Sequence, residues 1–205
     1  MFVKICGITI ASDAHAAVDF GASAVGFIFW PGSPRFISGA DAAAIAKGLP
    51  KEVAKVGVFV NQASGDVLRI VREAELSHVQ LHGSETPGFA AELNLPVIKA
   101  TTLQAGSANP EEWPEEMTWL VDAHDPTRHG GTGTAADWSA AALLAQRRRV
   151  LLAGGLNAGN IGRAISIVRP FGIDVSSGVE SRPGVKDREK LAALFAELRK
   201  AGEVQ

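Results

Sequence analysis

Two side chains of this sequence are placed to give and take protons. Cys6 comes directly after the apolar residues 2–5 and before Gly7, and a thiolate at the end of a strand could act as a base. Asp122 follows the apolar residues 119–121, and a carboxyl group in an apolar surround keeps its proton and can act as a general acid. The alternatives are a cysteine that serves as a small buried hydrophobe and an aspartate that caps a loop. Residue type alone leaves these alternatives open.

Three glycine-rich segments could bind a phosphate group. They are Gly130-Gly131-Thr132-Gly133, Gly154-Gly155 and Ser176-Ser177-Gly178. Backbone N–H groups in such loops donate hydrogen bonds to anions, and small residues allow the anion to approach closely. A single glycine pair usually marks only a turn, but three such segments, each after an apolar run, predict a phosphate site. The residues expected to contact the phosphate are Gly131, Gly133, Gly154, Gly155, Ser177 and Gly178.

Two further polar side chains could contact a substrate. Arg35, in Ser33-Pro34-Arg35, has no acidic neighbour in the sequence, and its guanidinium could hold a carboxylate by paired hydrogen bonds. His82 follows the fourth apolar run and could line the same site. The alternatives are a surface arginine and a structural histidine. The histidines show no spacing typical of metal ligands, so we expect no metal and no cofactor.

The elements that must position these residues alternate between strand and helix. Apolar runs predict eight strands, at residues 2–5, 24–28, 54–60, 78–81, 97–100, 119–121, 150–153 and 173–175. Segments with helical spacing lie between most of them, at residues 14–20, 40–49, 67–75 and 161–168. Continuously apolar strands are typical of a parallel sheet covered by helices, and eight such units close most naturally into a barrel. We therefore expect one domain over residues 1–205, a (β/α)₈ TIM barrel.

An open, doubly wound sheet is the competing architecture. It usually carries a nucleotide fingerprint, and no G-x-G-x-x-G pattern follows the first strand here.

Helix boundary signals agree with the alternation: Ser12 or Asp13 is expected to cap the first helix, Gly21 to follow its end, and Ser38 or Asp41 to open the second. Two prolines within residues 106–116 predict a short or irregular fifth helix.

Composition and charge exclude several classes of protein. Hydrophobic residues make up 46% and charged residues 20%, as in an ordinary globular domain. Lys and Arg number 20 against 22 Asp and Glu, so there is no global field that attracts nucleic acid or an anionic membrane. With one cysteine, no secretory pattern and no apolar run long enough to cross a bilayer, we expect a cytoplasmic protein, either a monomer or a homodimer. The run Arg147-Arg148-Arg149 is interpreted as a solvated helix end.

An ordered series of motifs closely resembles the phosphoribosylanthranilate isomerase family. The series runs from Lys4 to Asp187 without a departure at a motif position. Its most specific parts are the Lys-Ile-Cys-Gly opening at residues 4–7 and Asp-Val-Ser-Ser-Gly-Val-Glu at residues 174–180. The other parts are Gly26-Phe27-Ile28-Phe29, Ser33-Pro34-Arg35, Gly57-Val58-Phe59-Val60-Asn61, Gln80-Leu81-His82-Gly83 and Gly130-Gly131-Thr132-Gly133.

The resemblance implies an Amadori rearrangement of N-(5-phosphoribosyl)anthranilate in tryptophan biosynthesis. By position, Asp122 would be the general acid and Cys6 the base. The resemblance also places the anthranilate carboxylate on Arg35, its ring against Phe27 or Phe29, and the phosphate on the glycine loops with Ser177. An acid that is protonated and a base that is not must share one site, so we predict a raised pKa for Asp122 and a lowered pKa for Cys6.

Other activities remain as alternatives at this point. A ribulose-phosphate epimerase should show metal ligands, whereas an indole-glycerol-phosphate synthase needs a lysine inside the barrel, for which Lys4 and Lys99 qualify by position. A noncatalytic phosphate-binding barrel would not need Cys6 and Asp122 together at strand ends. The isomerase could also accept an imidazole aminoaldose. The loop over residues 122–133 is long for this fold, so we expect it to close over the substrate.

Overall fold

Eight parallel strands form a closed barrel in chain order in the computed structural model, which describes residues 1–104, 106–122 and 138–204. The strands are β1 (Phe2–Cys6), β2 (Ala24–Ile28), β3 (Ala54–Phe59), β4 (His78–Leu81), β5 (Val97–Thr101), β6 (Thr118–Val121), β7 (Arg149–Leu152) and β8 (Gly172–Val175). Each strand pairs with the next, and β1 also pairs with β8. The expected barrel is confirmed, and the open sheet is excluded.

Helices follow most of the strands and cover the outside of the barrel. Those in the described residues are α1 (Ala11–Phe20), α2 (Gly39–Ala46), α3 (Ser64–Glu73), α4 (Pro87–Glu92), α5 (Trp138–Ala145), α6 (Ile161–Val168) and α7 (Arg188–Lys200). Ser38 caps α2 by accepting a hydrogen bond from the Asp41 amide, as expected. The expected cap of α1 is wrong, because Ser12 and Asp13 lie inside the helix and Ile10 precedes it without a side-chain cap.

The fifth unit has a 3₁₀ helix, Pro110–Glu112, where most barrels have a full helix. Trp113 follows it and packs edge-on against Trp119 of β6, with ring centroids 5.7 Å apart. Arg148 donates hydrogen bonds to the carbonyl oxygens of Pro110, Trp113 and Pro114 and so holds this segment in place. The interpretation of residues 147–149 as a solvated helix end thus fails for Arg148, whereas Arg147 and Arg149 are exposed after the end of α5.

Two layers of side chains explain why the strands are apolar along their whole length. The apolar side chains that point into the barrel are small or aliphatic: Ala24, Val56, Ile98, Ala100, Leu120, Leu151 and Ala153. The alternate side chains of the same strands point outward, into a larger core between the barrel and the helices. Since both faces of each strand are buried, an alternation of polar and apolar residues would leave polar groups without water.

A short hairpin that the sequence analysis did not predict follows β8. Its strands are β9 (Glu180–Arg182) and β10 (Val185–Lys186). Thr9 donates a hydrogen bond to the carbonyl oxygen of Gly184, and the amide of Lys186 donates to Asp13 at 2.7 Å. The hairpin is thereby attached to the segment that connects β1 with α1 and to the first turn of α1.

No helix in the described ranges combines the length and the apolar character needed to cross a bilayer.

Truncation of a side chain in the outer core should destabilise the fold. Phe195 of α7 is fully buried and stacks on Phe20, with ring centroids 6.2 Å apart. Phe195→Ala should lower the free energy of unfolding by about 3–5 kcal/mol, because it removes buried apolar surface and leaves a cavity. Leu143→Ala is the control, since that side chain is 63% exposed, and it should change stability by less than about 0.5 kcal/mol. Equal losses in urea unfolding would contradict this packing.

Candidate active site

The predicted site residues that the structure describes all lie at the carboxyl ends of the strands. Cys6 ends β1, Arg35 lies between β2 and α2, and His82 and Asp122 directly follow β4 and β6. Gly154-Gly155 follows β7, and Ser177-Gly178 opens a 3₁₀ helix (Ser177–Val179) after β8. Because all eight strands are parallel, these ends meet at one mouth of the barrel. Gly131 and Gly133 fall outside the described residues.

Cys6 points into the barrel and is 5% exposed. A Cβ atom built on Gly26 of the neighbouring strand would lie 2.8 Å from the Cys6 Sγ and 3.1 Å from the Nζ of Lys4. The thiol and the ammonium therefore border the same small volume, which exists only because residue 26 is glycine.

The expected lowering of the Cys6 pKa is wrong in direction. Burial raises the pKa of the Cys6 thiol above its usual value of 9.0, because a thiolate loses its hydration there. The positive charge of Lys4 opposes this effect and lowers the pKa of Cys6, but it does not outweigh burial. The sequence does not reveal this loss of hydration, because it follows from burial inside the closed barrel.

His82 and Asp122 face each other across the mouth. The Nε2 atom of His82 lies 3.8 Å from an Oδ of Asp122, which is longer than a direct hydrogen bond. Gln80 approaches the other ring nitrogen, with Nε2 of its amide 3.0 Å from Nδ1. Burial lowers the pKa of His82, although Asp122 opposes the shift. A neutral His82 that accepts from Gln80 at Nδ1 presents an Nε2–H toward Asp122.

Arg35 has an acidic partner that its sequence neighbourhood did not reveal. Its guanidinium donates to both carboxylate oxygens of Glu180, with the shortest distance 2.7 Å. Glu180 also accepts from the Lys186 ammonium at 2.8 Å. Burial by itself would raise the pKa of Glu180, but the hydrogen bonds from Arg35 and the charge of Lys186 outweigh it and hold that pKa below 4.5. Arg35 is thus fixed in orientation at the mouth.

A second buried carboxylate joins three loops on the other side of the mouth. Glu85 accepts hydrogen bonds from the backbone amides of Asn61 and Gly83, at 2.7 and 2.9 Å, and from the ammonium of Lys99 at 2.9 Å. Neither Glu85 nor Glu180 was predicted from the sequence to be a site residue. A usable signal was present in Lys99, because a lysine inside an otherwise apolar strand requires a buried partner.

The glycine loops after β7 and β8 touch each other. A Cβ atom on Gly178 would overlap the carbonyl oxygen of Leu156, so only glycine allows the two loops to approach this closely. Gly154 and Gly155 both have positive φ angles, 87° and 64°, in the region that glycine adopts without strain. Ser177 is exposed at the start of the 3₁₀ helix.

Two buried polar side-chain atoms at the mouth make no hydrogen bond, nor do the Nε1 atoms of Trp119 and Trp138 elsewhere in the described residues. In the part of the chain that the structure describes, the Ser176 hydroxyl and the Oε1 atom of Gln80 are buried and make no hydrogen bond. A Cβ atom on Gly7 would lie 3.1 Å from the Ser176 Oγ, so this hydroxyl lies beside the end of β1. Such groups are rare in folded proteins unless a ligand or water satisfies them.

The expected ring contacts of Phe27 and Phe29 are wrong. Both side chains are buried in the outer core, and Phe29 stacks on Phe59 with ring centroids 5.2 Å apart. A cavity of about 560 Å³ does open beside Asp122, next to the residues that follow β4 and β5. His82, Thr101, Trp113 and Asp122 are among its lining residues. Its size is that of small-molecule sites in general.

Comparison with known proteins identifies the family. Residues 3–197 match the family model of N-(5'-phosphoribosyl)anthranilate (PRA) isomerase. The chain belongs to the N-(5'-phosphoribosyl)anthranilate isomerase family. A PRA isomerase of Pelobacter propionicus is 45% identical over 190 residues, which cover 92% of this chain and 91% of the relative.

Solved structures of PRA isomerases share the fold over nearly the whole chain. The enzyme of Thermus thermophilus is 44% identical, with a TM-score of 0.86 and coverage of 98% of this chain and 99% of that one. Another PRA isomerase, 38% identical with a TM-score of 0.83, covers the same shares and was crystallised with reduced 1-(o-carboxyphenylamino)-1-deoxyribulose 5-phosphate. The expected fold and the expected isomerase activity in tryptophan biosynthesis are confirmed, and the epimerase, synthase and noncatalytic alternatives are set aside.

The raised pKa of the buried Cys6 thiol should be visible in the pH dependence of its alkylation. Only the thiolate is alkylated, so the rate of modification by iodoacetamide should continue to rise with pH beyond 9.0, the usual pKa of a thiol. Cys6 is the one cysteine of the chain, and the mass increase therefore reports it alone. The urea-unfolded protein is the control and should level off near 9.0. A folded-state profile that levels off at lower pH than the control would contradict the raised pKa.

Proposed function

We propose that this chain performs the Amadori rearrangement of N-(5-phosphoribosyl)anthranilate, in the cytoplasm, with Asp122 as general acid and Cys6 as base. The observation that carries the proposal is the arrangement of the mouth. Cys6 belongs to β1 and Asp122 follows β6, and only β7 and β8, with the two glycine loops, lie between them on one side of the barrel. A sugar whose phosphate occupies those loops extends between the acid and the base.

The proposed steps move only protons and electron pairs. Asp122 donates its proton to the ribose ring oxygen as the C1–O bond breaks, and the nitrogen lone pair forms a C1=N bond, giving an iminium cation. The Cys6 thiolate then takes the C2 proton. The electrons of that C–H bond form C1=C2, and the C1=N electrons return to nitrogen. The resulting enolamine becomes the ketone when its C2 hydroxyl loses a proton and C1 gains one. A proton returns to Asp122 from solvent, so no metal or redox cofactor is needed.

The raised pKa of the buried Cys6 thiol is compatible with this order of steps. Ring opening creates a positive charge on the substrate next to the thiol. An adjacent cation favours the thiolate and lowers the thiol pKa, in the same way as a neighbouring ammonium does. General acid catalysis by Asp122 would therefore prepare the base. The thiol would release its proton to solvent only when the iminium is present, and solvent would return a proton to the Asp122 carboxylate.

Two anchors would hold the substrate between these groups. The Arg35 guanidinium, fixed by Glu180, is oriented to pair with the anthranilate carboxylate, and the loops with Gly154, Gly155, Ser177 and Gly178 offer backbone donors to the phosphate. The unpartnered Ser176 hydroxyl supports a polar ligand in the same place. Fixing both ends of the substrate converts binding energy into positioning of the labile aminal. The assembly state, monomer or homodimer, stays a prediction for light scattering to decide.

Removal of either proton-transfer group should abolish most of the activity. We expect Asp122→Asn and Cys6→Ala each to lower kcat at least about a hundredfold, since each removes one proton transfer. The loss of anthranilate fluorescence from freshly generated substrate, in the presence of a chelator, measures turnover. Asp66→Asn is the control for Asp122, because Asp66 is an exposed carboxylate on α3, and it should leave kcat unchanged. Full activity in either Asp122→Asn or Cys6→Ala would refute that residue's role.

Replacement of Arg35 should weaken binding of the anthranilate carboxylate and leave binding of the phosphate unchanged. Arg35→Met is expected to raise KM and to weaken competitive inhibition by anthranilate about tenfold or more, because a charged hydrogen-bonded pair is lost. Inhibition by inorganic phosphate should stay the same. Arg69→Met, at a position 59% exposed on α3, is the control and should change neither constant. Weaker inhibition by phosphate as well as by anthranilate would indicate that the variant disturbs the whole mouth.

A further inference from the structure

We propose that Lys4 is a positioning residue which, held by Asp174 inside the barrel, places a positive charge against the thiol of Cys6 and so stabilises the thiolate. This inference rests on the proposed role of Cys6 as the base and adds a residue that acts through it. Lys4 does not reach the mouth itself, because its side chain is completely buried one layer below Cys6 on the same face of β1.

The position of the Lys4 ammonium is set by three adjacent strands. Lys4 and Asp174 are register partners in the pairing of β1 with β8, and the Nζ atom donates to an Oδ of Asp174 at 2.8 Å. On the other side, Gly26 of β2 leaves a space in which a Cβ atom would touch both the Lys4 Nζ and the Cys6 Sγ. An ammonium has three N–H donors. One of them is used on Asp174, so the other donors and the positive charge remain next to the thiol.

The other buried strand lysine shows what a purely structural arrangement looks like. Lys99 points outward from the barrel and donates to the carbonyl oxygen of Gly83 at 2.6 Å and to Glu85, so it fastens loops to each other. Lys4 contacts no loop carbonyl oxygen in the part of the chain that the structure describes. A buried ion pair contributes little to stability by itself. The pair of Lys4 with Asp174 therefore does not hold loops together in the way that the pair of Lys99 with Glu85 does.

Other charged groups also face Cys6. Asp174 acts against the thiolate, because its negative charge raises the pKa of Cys6. Lys186 comes from β10, but its ammonium binds Glu180 and the backbone oxygen of Cys6 rather than the thiol. Arg35 approaches from the β2 loop and is paired with Glu180. Lys4 lowers the pKa of Cys6 more than Lys186 does. The charge of Lys4 also outweighs the charge of Asp174, which raises this pKa.

The test compares two double variants in which a buried lysine and its carboxylate partner are both neutralised. Lys4→Met with Asp174→Asn removes the proposed charge together with its counter-ion, and so leaves no buried charge without a partner. Lys99→Met with Glu85→Gln is the matched control, since both its residues are equally buried and it leaves Lys4 intact. The readout is the pH profile of Cys6 alkylation by iodoacetamide in the folded enzyme.

We expect the midpoint of the alkylation profile to move to higher pH in the Lys4 variant, with a rate about tenfold lower at a pH below the midpoint, and to stay in place in the Lys99 variant. The kcat for the isomerisation should fall with it, and KM should change little. If circular dichroism shows that the double variant does not fold, Lys4→Gln is the second test: its amide can still donate to Asp174, and loss of the ammonium should again move the midpoint to higher pH.

A profile in the Lys4 variant that coincides with the wild-type profile would overturn the inference. So would an equal upward movement in both double variants, because it would come from looser packing rather than from charge. Full activity of Cys6→Ala would refute Cys6 as the base, whereas the alkylation profile still measures the effect of Lys4 on the thiol. The failure of the inference and the failure of the proposed function are therefore separate results.

Discussion

The pairing of the first barrel strand with the last is the constraint on which the rest of the molecule depends. It brings Lys4 against Asp174, although 170 residues of chain separate them. Closure leaves the sheet without an open edge and gives the interior a charged layer beneath the mouth. Cys6 lies directly above that layer, and the loops that follow β7 and β8 lie next to it. The proposed base and the glycine loops therefore lie where the first and last strands of the barrel pair.

Two buried carboxylates keep the loops of this mouth in place. Glu180 connects the β2 loop with the hairpin after β8, and Glu85 connects the loops after β3 and β4 with the lysine of β5. Burial opposes ionisation of both, but their donors hold both pKa values below 4.5. Because these pKa values are depressed in the folded state, the stabilisation is present above the unfolded-state pKa and is lost as the pH falls through the folded-state values. The loops thus stay fixed at neutral pH, and a fixed mouth positions the substrate without reorganisation.

Burial of the thiol creates a conflict that the proposed reaction resolves. Loss of water around the thiol leaves little of it as thiolate at neutral pH, and the charge of Lys4 reduces that penalty without removing it. The cation formed by ring opening would supply the remainder at the moment when the proton must leave C2. Acid and base then act in sequence through the charge of the substrate, rather than through pKa values that are permanently matched.

The sequence by itself determined the barrel, since eight continuously apolar runs with helical segments between them need cover on both faces. It also indicated the ends at which Cys6, Arg35, His82, Asp122, Gly154, Gly155, Ser177 and Gly178 lie, because parallel strands place their carboxyl ends together. Only the tertiary structure decided the partners. The pairs of Arg35 with Glu180, Lys99 with Glu85 and Lys4 with Asp174, the outward direction of Phe27 and the sign of the Cys6 pKa shift all depend on contacts between distant segments. Local sequence cannot specify them, because desolvation and charge pairing are set by what the closed barrel brings within a few ångströms.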